Sequence, residues 1–382
     1  MTRRAPRVLL VGSLPLSAPW NGADKNLARA LVDADRASRY TLLTGPADPW
    51  GSHVTPVVVG RPGIVPGAHE WLRATRFAVA HIRGHDLLHV IATVRSANPV
   101  AAAALRTVAR VAGIPIVHTV PSIGDTDPSR RHFVGDATIV FSRHTAGRLT
   151  AAGVPGVVTM FPPFPRIAVP DAAVVAAVRA RHALGPRPVL CATHADPGNG
   201  VDHLVAALAD LPADLADVCL AVALRVRPGQ SLDDESARIS EVARAAGVAE
   251  RVRLVGSVAD MPALIRACAV TALVPATLSG KMDLPMILLE SLALERPVVV
   301  TDRSPMSEAV LGGGLTVGVG DVAAMCAALE RLLRHPEEAA ALACAGAARL
   351  RTEARPERVA ASVAEVYSSV LGSRTSKRRG SA

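Results

Sequence analysis

The chain has 382 residues, half of them apolar and only 3% aromatic, and carries 42 Lys and Arg against 33 Asp and Glu for a net charge of +9. This is a globular composition, and no run reaches the roughly 18 uninterrupted apolar residues of a membrane-spanning helix, which sets integral membrane functions aside. The length exceeds what one core usually serves, so two domains are expected.

The chain begins MTRRAPRVLLVGSLP, a basic stretch before an apolar one. That apolar run is short and lacks a small-residue cleavage site, so RVLLVGS (7–13) reads as a first buried strand rather than a secretory leader. A helix follows over 23–34, then the strand YTLLTG (40–45), a VTPVVVG strand, a helix near 69–83, DLLHVIA, an Ala-rich helix over 98–112 and IPIVHTV (114–120). ATIVFS (137–142) and GVVTMF complete a first series. Strands that are apolar on both faces and alternate with helices imply a parallel sheet covered on both sides. The segment FPPFPRIAVP, Phe161 to Pro170, breaks the rhythm with four prolines, and a second series begins. Its strands are RPVLCAT (187–193), CLAVAL (219–224), VRLVG (252–256), VTALVP (270–275) and PVVVTD (297–302). The pattern predicts two doubly wound domains, 1–165 and 166–355, followed by a C-terminal helix over 356–372 that packs back on the first. Residues 373–382, with Arg374, Lys377, Arg378 and Arg379 among Ser and Gly, read as a disordered basic tail. A basic surface facing phosphates or a membrane is a second reading of the charge. The five cysteines, Cys191, Cys219, Cys268, Cys326 and Cys344, lie in apolar contexts without metal-ligand spacing and read as reduced core residues of a cytoplasmic protein.

In such sheets ligands bind beyond the carboxyl ends of the strands, so the loops after strands hold the candidate site residues. The loop GSLPLSAPWNGADKN enters its helix at Asn21-Gly22, where free amides attract a phosphate or polar ligand. It lacks both GxGxxG and GxxxxGK[ST], and a simple helix cap explains it as well. Trp20 suits stacking on a ligand or packing between loops, and Lys25 adds a cation. His118 in IPIVHTVPS is either a functional group at the ligand edge or a satisfied core histidine. In VLCATHADPGNGVDHLV, Thr193, His194, Asp196, Gly198, Asn199 and Gly200 form a strand-to-helix loop that either points amides at an anion or ends in a plain cap.

The stretch SGKMDLPMILLESLALERPVVVTD carries the sharpest signal. Asp283 as N-cap, with Pro285 in the first turn, predicts a helix from Leu284 to Leu294 with Glu290 among Met286, Ile287, Ala293 and Leu294. A carboxylate in an apolar run needs a partner, because burying it alone is costly. The two hydroxyls of a ribose would serve, and so would a structural Arg. Lys281, one of only three lysines in the chain, stands just before this helix.

With these motifs the chain resembles the family-four retaining glycosyltransferases of the two-domain GT-B fold. The resemblance covers nearly the whole length and is strongest from VLCATHADPGNGVDHL through RVRLVGSVADMPALIRACAVTALVP to the stretch around Glu290. It implies two Rossmann-like domains facing across a cleft, the first binding an acceptor and the second a nucleotide-sugar donor. Glu290 matches the second glutamate of the family's two-glutamate motif and is implied to hold the donor ribose; the first glutamate falls on Met282. The backbone of Asp283 and Leu284 is implied to lie along the sugar and diphosphate. The family's diphosphate-clamping Arg and Lys fall on His194 and Asn199, which leaves Lys281 as the candidate replacement. The first-loop glycine matches Gly22, and the family's first-domain histidine falls on Pro121, near His118. The expected site therefore comprises Lys281, His118 and Asp283 for catalysis, and Gly22, His194, Asn199, Gly200, Met282, Leu284 and Glu290 for the donor. Trp20 and Lys25, with the loop SIGDTDPSRRH (122–132), are expected to line the acceptor side.

The implied reaction transfers a sugar with retention to a small-molecule or lipid-linked acceptor, in secondary-metabolite or cell-envelope glycoside biosynthesis. It requires no cofactor, metal or side-chain nucleophile, so positioning and electrostatics carry the rate. No nucleic-acid partner is expected, and peripheral membrane contact is compatible with the charge. Two other readings compete: a GT-B protein that has lost its clamp and serves as a binding or partner subunit, and a nucleotide-sugar epimerase on the same fold.

Overall fold

Runs of Val, Leu and Ile, alternating with Ala- and Leu-rich helices, build two parallel sheets in the computed structural model. It describes residues 4–12, 15–17, 23–45, 48–58, 68–93, 99–227, 229–256, 258 and 260–379. The chain divides into two units: Met1–Pro165, Gly280–Asp283 and Glu353–Ala382 form the first, Arg166–Ser279 and Leu284–Thr352 the second.

In the first unit the strands are β1 (Arg7–Gly12), β2 (Arg39–Thr44), β3 (Val54–Val58), β4 (Leu87–Ile91), β5 (Ile116–Thr119), β6 (Ala137–Val140) and β7 (Val157–Thr159). They pair in parallel in the order β3-β2-β1-β4-β5-β6-β7. Helices α1 (Ala23–Ala34), α2 (Ala68–His81), α3 (Pro99–Ala112) and α4 (Arg143–Ala151) connect them. The β4, β5 and β6 residues are all buried, as expected of strands covered on both faces. Pro56, which has no N–H to give to a ladder, is confined to the edge strand β3.

The second unit contains α5 (Ala172–Arg181), β8 (Arg187–His194), α6 (Val201–Ala209), β9 (Val218–Arg225), α7 (Leu232–Ala245), β10 (Val252–Leu254), α8 (Met261–Ala267) and β11 (Val270–Leu273). It continues with α9 (Met286–Ala293), β12 (Val298–Thr301), β13 (Gly314–Val317), α10 (Val322–Arg334) and α11 (Pro336–Glu353). Strand order is β10-β9-β8-β11-β12-β13. Alternation along the strands separates two cores: Val189, Cys191, Leu220, Val222 and Leu224 face the side of α6 and α10. Leu190, Cys219, Ala221 and Ala223 face that of α8. The strand β13 is only partly buried and has no apolar run to announce it. In both sheets the strand order reverses once, between β1 and β4 and between β8 and β11, and these are the points where doubly wound sheets bind ligands.

The last helix, α12 (Pro356–Arg379), belongs to the first unit. Tyr367, 1% exposed, ties it to the sheet: its hydroxyl lies 2.7 Å from His89 Nδ1 and 3.3 Å from the Tyr40 hydroxyl, which donates to Asp35 Oδ2 at 2.7 Å. His89 Nε2 lies 2.7 Å from Thr119 Oγ1, so one buried chain of polar groups crosses the layer between α12 and β5. The backbone stays helical to Arg379, which corrects the expectation of disorder from 373 as far as 379; an established helix extends through Arg and Lys without a new nucleus. Residues 380–382 lie outside the described residues. Cys191, Cys219 and Cys268 are buried, and burial pushes the Cys268 thiol up to about 12. Cys326 is half-buried and Cys344 exposed, so the core reading of the cysteines holds for three of the five. Among the described residues no helix is long and apolar enough to cross a membrane.

Candidate functional site

The second unit's switch point is built by the loops after β8 and β11. Gly198 and Gly200 take φ of +70° and +89°, conformations that glycine adopts without penalty. A Cβ on Gly200 would fall 2.3 Å from the Val274 carbonyl oxygen, so only glycine lets this loop close onto the end of β11. The Ala276 N–H donates to the Gly198 carbonyl at 2.9 Å and completes the closure.

Asn199, 3% exposed, is occupied inside this loop. Its Nδ2 donates to the His194 carbonyl at 3.3 Å and to Glu235 Oε1 at 3.0 Å, while its Oδ1 accepts the Val201 N–H at 3.0 Å. Its side chain, expected on the donor side, holds the loop in this structure. Glu235 is held in turn by Arg238, whose guanidinium at 2.8 Å also pairs with Asp202, and Arg238 holds the Glu235 carboxyl below its ordinary value. Arg227 forks onto Asp196 at 3.0 Å, and Gln230 Nε2 donates to the same carboxylate at 3.1 Å, which clasps the loop to the one after β9. His194, half-buried, is the last residue of β8 and the register partner of Arg225.

The apolar helix starts later than its sequence suggests. α9 begins at Met286, its N-cap is Pro285 with no side-chain capping bond, and Leu284 is buried before it. Glu290 is half-buried on this helix, and burial pushes its carboxyl up, with the charge of Arg225 opposing that shift. Among the described residues no side chain or backbone group hydrogen-bonds to the Glu290 carboxylate. Of the two partners open to it from sequence, the structural Arg is present only as a neighbouring charge, without an ion pair.

The first unit holds the remaining expected residues. Asp283 does not cap α9: its Oδ2 accepts from Ser142 Oγ at 2.7 Å and its N–H donates to the Pro121 carbonyl at 3.0 Å. Ser142 is the N-cap of α4 and accepts the Thr145 N–H at 3.0 Å, so this carboxylate sits where a helix dipole favours it. Lys281, 9% exposed, and the half-buried Met282 belong to the same short segment of the first unit. Lys25 Nζ donates to the Ser17 carbonyl at 2.9 Å and steadies the loop after β1; burial lowers its pKa, and Asp24 and Asp48 oppose that. It borders a crevice with Leu10, Gly12, Leu16 and Ile91 at the β1/β4 switch point. Trp20 and Gly22 lie outside the described residues.

His118, expected among the catalytic residues, is packed inside the first unit. It is 1% exposed, its Nε2 lies 3.2 Å from the Ala92 carbonyl, and the Val134 N–H donates to its Nδ1 at 3.4 Å. Both ring nitrogens thus meet backbone, and burial takes the ring down to about 4, where it stays neutral. The loop 122–132 is pinned by Arg148, which donates to the Gly124 and Thr126 carbonyls at 3.3 and 3.1 Å.

Sequence reasoning passed over Ser142 and Arg225. The first was detectable as a Ser directly before a helical segment. The second had no signal, because one Arg at a strand end is among the commonest features of a chain this rich in arginine.

Comparison with known proteins follows the same division. The two sheets match solved structures of the GT-B glycosyltransferase fold. Anabaena HepE in complex with UDP and glucose superposes with a TM-score of 0.73 at 15% identity, covering 95% of this chain and 100% of that one. Sucrose-phosphate synthase from Thermosynechococcus elongatus gives 0.73 at 19% identity, covering 97% and 100%. These likenesses establish the fold. Residues 186–335, all of them in the second unit except Gly280–Asp283, match the family described as Glycosyl transferases group 1. The chain is also similar to the GDP-mannose-dependent alpha-(1-6)-phosphatidylinositol monomannoside mannosyltransferase of Mycolicibacterium smegmatis, at 33% identity over 230 residues. That match covers 56% of this chain and spans 58% of the relative's own length.

Proposed function

We propose that the chain is a retaining glycosyltransferase that takes a sugar from a nucleotide-sugar donor held by the second unit and delivers it to a small-molecule or lipid-linked acceptor. The observation that carries this reading is the Glu290 carboxylate, half-buried and without a hydrogen-bonding partner among the described residues, inside the segment similar to Glycosyl transferases group 1. Two carboxylate oxygens match the two hydroxyls of a ribose, and charge-assisted bonds of this kind are the stronger ones.

In the proposed reaction the acceptor hydroxyl oxygen bonds to the anomeric carbon as that carbon's bond to the diphosphate oxygen breaks. The acceptor proton passes to the departing phosphate oxygen, on the face where the new bond forms. The protein orients the partners and stabilises the leaving charge. The proposed setting is the cytoplasm, in glycoside biosynthesis for the cell envelope or secondary metabolites. The mannosyltransferase relative favours an activated hexose as donor.

A thermal-shift titration with nucleoside diphosphates and their sugars tests the donor, since binding to the folded state raises the melting temperature. One nucleotide should give a shift that Glu290→Ala removes. A shift that survives that substitution would sink the ribose role.

The second reading is a GT-B protein that binds without transferring, and the engagement of Asn199 inside its loop favours it. Nucleotide release that depends on an added acceptor would exclude it, and would exclude an epimerase as well.

A further inference from the structure

Strand alternation brings three chemically able side chains to one edge of the second sheet. On β9, Cys219, Ala221 and Ala223 face the core beside α8, so Arg225, next in that series, lies on the same face. It is the one exposed residue of the strand, after seven buried ones. On β8, Leu190 and Ala192 face that core too, and His194 follows them. The parallel register pairs His194 with Arg225, and the Arg225 carbonyl accepts the Ala195 N–H at 2.9 Å, which fixes the backbone from which both side chains project. Ile287 and Leu294 of the α9 segment pack in the same core. Glu290 stands three positions after the first and four before the second, on the same stripe. The charge of Arg225 reaches the Glu290 carboxyl, which agrees with this placement.

We propose that Arg225, with His194 beside it, grips the diphosphate of the nucleotide-sugar donor whose ribose Glu290 holds, a task for which the family resemblance left Lys281 as the candidate; this rests on the donor reading above. The 5′-diphosphate leaves a ribose on the side away from its 2′ and 3′ hydroxyls, so a cation that grips it is a different group from the one that meets the hydroxyls. A guanidinium on a fixed backbone forks onto phosphate oxygens. Lys281 belongs to the first unit, whereas Arg225, His194 and Glu290 share the second.

Calorimetric titration of the full chain with UDP, GDP, ADP and TDP, and with the four matching nucleosides, separates grip on phosphate from recognition of base and ribose. Arg225→Gln should weaken the preferred diphosphate tenfold or more and flatten its salt dependence, while nucleoside affinity stays within twofold. Arg225→Lys, which keeps the charge but loses the fork, should recover part of the loss. The unfolding midpoint of both variants without nucleotide should match that of the unsubstituted chain. Diphosphate affinity unchanged in Arg225→Gln overturns the assignment and leaves the donor reading standing. If the unsubstituted chain binds none of the eight probes, both are overturned together.

Discussion

Ser142 Oγ donates to Asp283 Oδ2 at 2.7 Å, and the same oxygen accepts the Thr145 N–H at the start of α4. One hydroxyl therefore caps a helix and satisfies a carboxylate that is 1% exposed and 141 residues distant in sequence. Ser142→Ala removes a cap and leaves a buried acceptor short of a donor, so it should cost about 2 kcal/mol. Asp283→Asn keeps an oxygen for the hydroxyl and should cost less. Urea unfolding followed by tryptophan fluorescence measures both, and equal losses would mean that the carboxylate charge, not the hydroxyl, dominates the contact.

The buried histidines His89 and His118 make the first unit sensitive to acid. Burial takes His89 down to about 3, with the nearby His118 adding to the effect, and takes His118 itself down to about 4. Below roughly pH 6.5 the unfolded chain binds protons that the folded chain refuses, so stability falls as pH drops from there toward 4. Each ring contributes up to about 1.4 kcal/mol per pH unit in that window, and nothing above it. Unfolding midpoints at pH 7 and pH 5 should therefore differ, and His118→Gln should shrink the difference. An undiminished difference in that variant would rule out His118 as a source.

Two glycines on left-handed backbone distinguish close approach from conformation alone. Gly200→Ala meets the Val274 carbonyl at 2.3 Å and should destabilise the second unit by on the order of 3 kcal/mol or more. Gly247 has φ of +71° and no atom within 4 Å of the place its methyl would take, so Gly247→Ala should cost only about 1 kcal/mol. Similar denaturation midpoints for the two variants would contradict the packing argument.

Burial raises the Glu290 carboxyl, which sets a pH signature for the proposed nucleotide binding. The ionised carboxylate accepts two hydroxyl donors; the protonated acid gives up part of that capacity. Affinity for the preferred nucleotide should fall on acidification, with a midpoint above the usual carboxylate value, and Glu290→Gln should bind weakly at every pH. Titrations from pH 4 to pH 8 check this, and a profile shared by the variant would assign the dependence to another group.

Much of the fold is legible in the chain itself. Strands such as DLLHVIA and PVVVTD are apolar on both faces because helices cover both, and that requirement is local and repeats along the sequence. The Pro-rich segment marks the break between the two series for an equally local reason. The strand β13 escapes detection because it is short and only partly buried. The start of α9 is misplaced because Asp283 reads as a cap in one dimension, while its carboxylate faces Ser142 in three.

Sequence alone determined two doubly wound sheets, the loops in which a site must lie, and a carboxylate in an apolar helix that needs a partner. Those follow from periodicity, from glycine's backbone freedom and from the cost of burying charge. Only the tertiary structure decided which polar groups are already engaged. His118 meets the Ala92 carbonyl and the Val134 N–H, Asn199 meets Glu235, Asp283 meets Ser142, and Arg225 stands beside His194. Each pairing joins residues far apart in the chain, and a hydrogen bond is set by separation in space, which no spacing along the sequence encodes.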